Sequence, residues 1–369
     1  MKLREQLLGK ARRIVVKLGT GLLTDAQNQL AQAEIERLVG QLAALQRDGR
    51  EVLVVSSGAI AAGMSALGLA TRPKELAQLQ ACAAVGQCRL MAMYDEAFSK
   101  FNIHVAQVLL THDDLRDRTR HLNARHTLDM LLRRGVVPII NENDTVSADE
   151  IKFGDNDRLG ALTATLVDAD LLVILSHIEG LYARRSDISV ATGTDRGKNA
   201  APTVILVVSE ITHDIESLAG GTDRGTSVGG MKSKLAAAKI AMRAGIPMVI
   251  ANGEQLNVLA DLLAGKEVGT VFLPGAEKLA GRKRWIAFFQ RTAGALQVDN
   301  GAREALCASG KSLLAKGVIN AEGDFVVGDA VSIQDKNGVE FARGLTKVAS
   351  NELKTAAGVI VHRDDLVIL

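Results

Sequence analysis

Lys17 stands at the end of an apolar run, Ile14, Val15, Val16 and Leu18, and directly before Gly19 and Gly21. A lone ammonium at the edge of a buried strand is expensive without an anionic partner. Either the lysine simply reaches the surface from the strand end, or its partner is a buried carboxylate elsewhere in the chain or a ligand phosphate approaching the backbone that two glycines leave bare. A second cationic site lies in GGMKSKLAAAKIA, where Gly229, Gly230 and Met231 open a helical pattern whose first turn carries Lys232 and Lys234. Helix N-termini attract phosphate, whereas lysines ordinarily favour the other end. Lys232 reads as part of a solvated face and Lys234 as a phosphate contact. The third feature is FGDNDRLGAL, in which Asp155, Asn156 and Asp157 precede a helical pattern. Asp157 alone reads as an N-cap. Coming after NEND (Asn141 to Asp144), however, the cluster is dense enough to bind a substrate ammonium, orient the lysines or help hold Mg²⁺ through water.

Lysines that neutralise a transferred group, an aspartate that positions them and glycines that admit the substrate together describe phosphoryl transfer without a covalent nucleophile. GTGLL lacks the third glycine of the dinucleotide fingerprint, and no stretch satisfies the full P-loop pattern. ALCASGKS matches only the tail of that pattern, with Ala305 where its first glycine belongs. His121 and His126 do not form an HExxH pair, and there is no GxSxG elbow.

The elements that must hold these residues alternate. Apolar runs RIVVKLG, EVLVVSS, HVAQVLL, VVPIINE, DLLVILS and IPMVIAN are separated by helical patterns. One of them places Ile35, Leu38, Val39, Leu42 and Leu45 on a single face and closes at Gly49. Strands this apolar belong in a largely parallel sheet covered by helices on both faces, an α/β class. Ligands in such sheets gather beyond the carboxyl ends of the strands, at the loops KLGTG, SSGA, NENDTV and SHIEGLY. After GRKRW the texture changes to short alternating segments with Gly-rich turns. DKNG there signals a hairpin, with Asn-Gly favouring a type I′ turn. Two domains are expected, residues 1–278 and a small β-rich domain of residues 279–369.

Composition is that of a globular chain: 369 residues, 47% hydrophobic but only 3% aromatic, and 23% charged. A net charge of +2 excludes the strong positive field of a general nucleic-acid binder. Cys82, Cys88 and Cys307 form no CxxC pair, which argues against a disulfide framework or structural zinc. MKLREQLLGKARR lacks a signal peptide's apolar core, and no segment approaches ~18 uninterrupted apolar residues. A cytoplasmic location and no membrane association are expected.

VKLGTG, VVSSGAIAAG, AAVGQ, IINENDTV, FGDNDRLGAL and GGMKSKLAAA follow the order and spacing of the amino acid kinase family. The chain resembles most closely the bacterial members that phosphorylate glutamate. The resemblance spans essentially the whole length, and the tail from GRKRW through GKSLLAKGV to VHRDDL resembles a PUA domain. It implies transfer of the ATP γ-phosphoryl group to the side-chain carboxylate of L-glutamate, with Mg²⁺, as the first step of proline synthesis. Carried over by position, Lys17 and Lys234 contact the transferring group, Asp157 holds both lysines, and Ser57, Asp144 and Asn156 bind glutamate. Ser176, His177, Gly229, Gly230 and Met231 join the two lysines on the nucleotide side; no residue is assigned to a metal. The resemblance further implies inhibition by proline, assembly as dimers or tetramers, and transient contact with the next enzyme, the reductase glutamate-5-semialdehyde dehydrogenase.

Three departures lie on the nucleotide side. Ser176 and His177 replace the family's Thr-Asp, the loop after Gly180-Leu181-Tyr182 lacks an Asp-Pro turn, and Ser227-Val228 replace Gly-Thr. They predict weakened nucleotide binding. The competing readings are a kinase for aspartate or N-acetylglutamate, an RNA-binding protein, and a glutamate- or proline-sensing protein without catalysis. Against RNA binding, Asp324, Asp329, Asp335, Asp364 and Asp365 interrupt any basic stripe in the tail.

Overall fold

The computed structural model describes residues 2–25, 29–146, 156–183, 203–220, 230–275, 279, 281–353 and 355–369. Its contacts divide into two units, Met1–Asp114 with Thr119–Ala276, and Leu115–Arg118 with Glu277–Leu369.

The first unit begins with helix α1 (Lys2–Leu8), strand β1 (Arg13–Leu18) and the single turn α2 (Thr20–Leu23). α3 (Gln32–Arg47) then leads to β2 (Glu51–Ser56), and the hairpin of α4 (Ala59–Ala66) and α5 (Leu76–Ser99) leads to β3 (Val105–Leu110). Helices α6 (His112–Arg116) and α7 (Arg118–Arg133) precede β4 (Val137–Glu142), and α8 (Asn156–Leu166) precedes β5 (Leu171–Ser176). After β6 (Val207–Val208) and α9 (His213–Ser217), α10 (Met231–Arg243) connects to β7 (Met248–Asn252), with β8 (Thr270–Phe272) last.

The strands form one sheet in the order β3-β4-β2-β1-β5-β7-β8-β6. All pairs are parallel except β7 with β8. The six apolar runs of the sequence are β1 to β5 and β7. The inner strands are continuous because both faces are covered: every residue of β5, and every residue of β1 after Arg13, is buried, whereas β3 at the sheet edge is only partly so. The short β6 and β8 escape the sequence reading, since two or three residues make no pattern. The expected face of α3 is buried, with Ile35, Leu38, Val39, Leu42 and Leu45 all inside.

From β1 the chain moves to β2 on one side, and after β4 it crosses to β5 on the other side of β1. This switch point is where open α/β sheets form ligand crevices. In register, Lys17 lies beside Val55 and Ile174, Leu18 beside Ser56, and Ser176 beside Asn252. The ends of four strands thus converge on one edge.

α4 and α5 meet at backbone contact. A Cβ placed on Gly63 would lie 1.8 Å from the Cys82 carbonyl oxygen, and one on Gly86 would lie 1.8 Å from that of Ala59. Only glycine admits so close an approach. Gly58, at φ 101°, turns the chain from the end of β2 into α4.

The second unit is a six-stranded sheet with its own apolar core, around Leu296, Val298, Phe325, Val331, Ile333 and Val361. Leu115–Arg118 groups with it: the Arg116 carbonyl accepts from Gln290 Nε2 at 2.7 Å, and the Arg118 guanidinium stacks over Trp285. The DKNG hairpin joins Ala330–Gln334 to Glu340–Thr346, but its turn is not type I′. Gly338 has φ 77° and Asn337 does not share a positive φ; instead Asp335 Oδ1 accepts from the Asn337 and Val339 amides. An aspartate that caps the turn removes the need for two left-handed residues. The helix Asn300–Ser309 also went unread in this β-rich stretch. Gly310 is its left-handed C-cap, so GKS follows a helix instead of opening one and cannot cradle phosphate as a P-loop does.

Candidate active site

Lys17 is the last but one residue of β1. Strand alternation puts it on the face opposite Ile14, Val16 and Leu18, under α8, where Gly160 leaves room for its methylenes. Its ammonium meets Asp157 Oδ1 at 2.7 Å. Lys234, in the first turn of α10, meets Asp157 Oδ2 at 3.2 Å, and Ser233 donates to the same oxygen at 2.6 Å. The three charged residues are 7%, 4% and 1% exposed for Lys17, Lys234 and Asp157. Two ammonium groups share one carboxylate, so the cluster keeps a net positive charge facing the edge.

Asp157 lies inside the first turn of α8, and its carboxylate is held by lysines instead of capping backbone amides, which corrects the N-cap reading. Burial pushes its carboxyl up. Lys17, then Lys234, and the hydrogen bonds from Lys17 and Ser233 outweigh burial and hold it at about 2, below its ordinary 3.8. A depressed carboxyl contributes stability above its unfolded value and loses it as pH falls through the folded one. The Asp157 contribution is therefore constant above pH ~4 and fades between ~4 and ~2. A gap between the urea midpoints of the wild type and Asp157→Asn should persist from pH 8 down to 5 and narrow only below 4. Convergence already at pH 6 would refute the assignment.

A second, neutral cluster adjoins the first. Asn156 Nδ2 donates to Ser57 Oγ at 3.0 Å, to the Ser56 carbonyl at 3.1 Å and to Asn141 Oδ1 at 3.2 Å. Asn141, buried at the end of β4, donates in turn to Gln87 Oε1 of α5 at 2.9 Å. Asn156 Oδ1 is buried and finds no partner among the described residues. An orphaned amide oxygen beside a cationic pair is a receptor for a donor brought by a ligand. Asp144 is half-buried on the turn after β4.

On the other flank Ser176 ends β5, buried, and His177 is exposed beyond it, its Nδ1 3.7 Å from where a Gly21 Cβ would stand. Gly230 is the N-cap residue of α10 and brings no side-chain cap, so among the described residues no N-cap side chain claims the amides that open this helix. Met231 is half-buried and Lys232 is exposed, as its solvated reading expects. Asp155, Ser227, Val228, Gly229 and most of the loop 183–203 lie outside the described residues. Among the described residues no group of three His, Cys, Asp or Glu side chains could hold a metal ion.

The amino acid kinase family model matches residues 12–252. The chain belongs to this family. This amino acid kinase is 45% identical to the glutamate 5-kinase of Pelobacter propionicus and 46% identical to that of Geobacter sulfurreducens, over the full length of each pair. The glutamate 5-kinase of Moorella thermoacetica is 46% identical over 98% of this chain and 97% of its own. A PUA domain model matches residues 294–363, within the second unit. No described helix is long and apolar enough to cross a membrane.

The structure therefore joins Lys17, Lys234 and Asp157 in one cluster and Ser57 with Asn156 in another. Sequence reasoning gave Ser233 and Gln87 no place in these clusters and Asn141 one only as part of NEND. Ser233 was visible only as a polar residue between two lysines of a helical turn; Asn141 and Gln87 lay in quoted motifs, INEND and AAVGQ, without a partner to give them a role.

Proposed function

We propose that this chain transfers the γ-phosphoryl group of ATP to the side-chain carboxylate of L-glutamate, giving L-glutamyl 5-phosphate, the first step of proline biosynthesis. The observation that carries this reading is the pair of buried ammonium groups clamped on Asp157 at the switch point, next to an unsatisfied amide oxygen. The glutamate carboxylate is ionised at neutral pH and needs no general base. One of its oxygens forms the new bond to phosphorus in line with departure of the β-phosphate oxygen, and the electron pair of the broken bond leaves on ADP. Lys17 and Lys234 neutralise charge on the equatorial oxygens, and Asp157 fixes them before substrate arrives, so little reorganisation is needed. Phosphates would lie over Gly19, Gly21 and the uncapped start of α10, beside Ser176, His177, Gly230 and Met231. Mg²⁺ accompanying ATP would be held chiefly by phosphate oxygens, where it adds charge neutralisation. On the other side Ser57, Asp144 and Asn156 receive the amino acid. The acyl phosphate product is reactive, and a reductase is the class of enzyme that would consume it.

The test is ADP release from MgATP with L-glutamate, L-aspartate or N-acetylglutamate. Turnover should depend on L-glutamate and fall about 10²–10³-fold in Lys17→Ala, the magnitude of losing one preorganised charge donor. Preference for another acid, or no turnover at saturating MgATP, would refute the reading.

A further inference from the structure

We propose that Gln87 is a positioning residue of the amino-acid subsite: by accepting from Asn141 it holds in place the Asn156 amide that backbone groups orient. The inference rests on the phosphotransfer reading above and assigns the amide oxygen of Asn156 to the substrate ammonium.

The polarity of the chain Gln87–Asn141–Asn156 is fixed by backbone groups at two points. The Glu142 amide can only donate, and it donates to Asn141 Oδ1 at 2.9 Å. The Ser56 carbonyl can only accept, and it accepts from Asn156 Nδ2. Asn141 therefore presents its Nδ2 to α5, where it must find an acceptor, and Gln87 Oε1 provides one at 2.9 Å. With Asn141 held so, its Oδ1 is available to Asn156 Nδ2, and the Asn156 oxygen is left pointing at no protein donor. Reversing the Gln87 amide would set two donors against each other.

Gln87 itself is 7% exposed, and its Nε2 finds no partner among the described residues. A buried donor without an acceptor is a penalty that leucine, of similar volume, would avoid. What leucine lacks is the acceptor that Asn141 requires. The position of Gln87 is as rigid as its polarity: the neighbouring Gly86 presses on Ala59 at backbone contact, and Tyr94, farther along α5, is hydrogen-bonded to Ser56 Oγ at 2.9 Å. Residues 87 and 94 thus tie one helix to the ends of β2 and β4.

The experiment is calorimetric binding of L-glutamate and of glutarate, the same diacid without the ammonium, to wild type, Gln87→Leu and Gln87→Glu, with KM for ATP measured alongside. Wild type should prefer L-glutamate; Gln87→Leu should shrink that preference about tenfold, the worth of one aligned hydrogen bond to a charged group, with KM for ATP unchanged. Gln87→Glu keeps an acceptor for Asn141 and should restore the preference. Gln87→Met, matched in length, carries the leucine expectation should Gln87→Leu not fold. A preference unchanged in the leucine or methionine variant, or a glutamate variant that behaves like leucine, overturns the inference alone. Wild-type protein that binds neither acid overturns the phosphotransfer reading and the inference with it.

Discussion

Asp157→Asn is expected to lose about 3–5 kcal/mol of stability and to reduce turnover about 10³-fold or more. The carboxylate is 1% exposed and holds Lys17 at 2.7 Å and Lys234 at 3.2 Å. Asparagine keeps the shape and removes the charge, leaving two buried ammonium groups close together with no counter-ion. Breaking a buried ion pair from one side costs more than the pair is worth, because the remaining charge stays desolvated. The lysines answer by losing protons or swinging towards water, and either response removes them from the phosphoryl path. Urea unfolding and single-turnover rates measured on the same preparation check both halves. A variant with unchanged midpoint and less than tenfold slower chemistry would show that Asp157 does not organise the pair.

Gly86→Ala is expected to destabilise the first unit by roughly 3 kcal/mol or more, at or beyond the upper end of ordinary overpacking. Its added Cβ would stand 1.8 Å from the Ala59 oxygen and 2.5 Å from the Gly63 nitrogen, both main-chain atoms that no rotamer change can move aside. α4 and α5 would have to separate, and α4 follows directly on Ser57 and Gly58 at the end of β2. The variant should therefore also bind the amino acid less well. Gly68→Ala is the control: its Cβ meets nothing within 4 Å, and its positive φ of 68° alone should cost about 1 kcal/mol. Equal midpoints for the two variants, read by urea unfolding, would refute the close-contact argument.

Much of this protein was written locally. Continuous apolar strands alternating with amphipathic helices can satisfy their burial only in a layered, largely parallel sheet, and the six long strands followed from that alone. A strand-end lysine before two glycines needed an anion, and the choice between a protein carboxylate and a ligand phosphate stayed open in the sequence. Tertiary structure closed half of it: the anion in the protein is Asp157, brought 140 residues along the chain by the pairing of β1 with β5 and the packing of α8 over Lys17. Asp157 read equally well as a cap, because a carboxylate in a first helical turn is favourable there whatever it touches. Sequence spacing fixes which face a residue occupies but not what crosses from another element. For that reason Ser233, Asn141 and Gln87 found their hydrogen-bond partners only when α10, β4 and α5 met at one edge of the sheet, and the orientation of the Asn156 amide was decided by hydrogen bonds that no local pattern encodes.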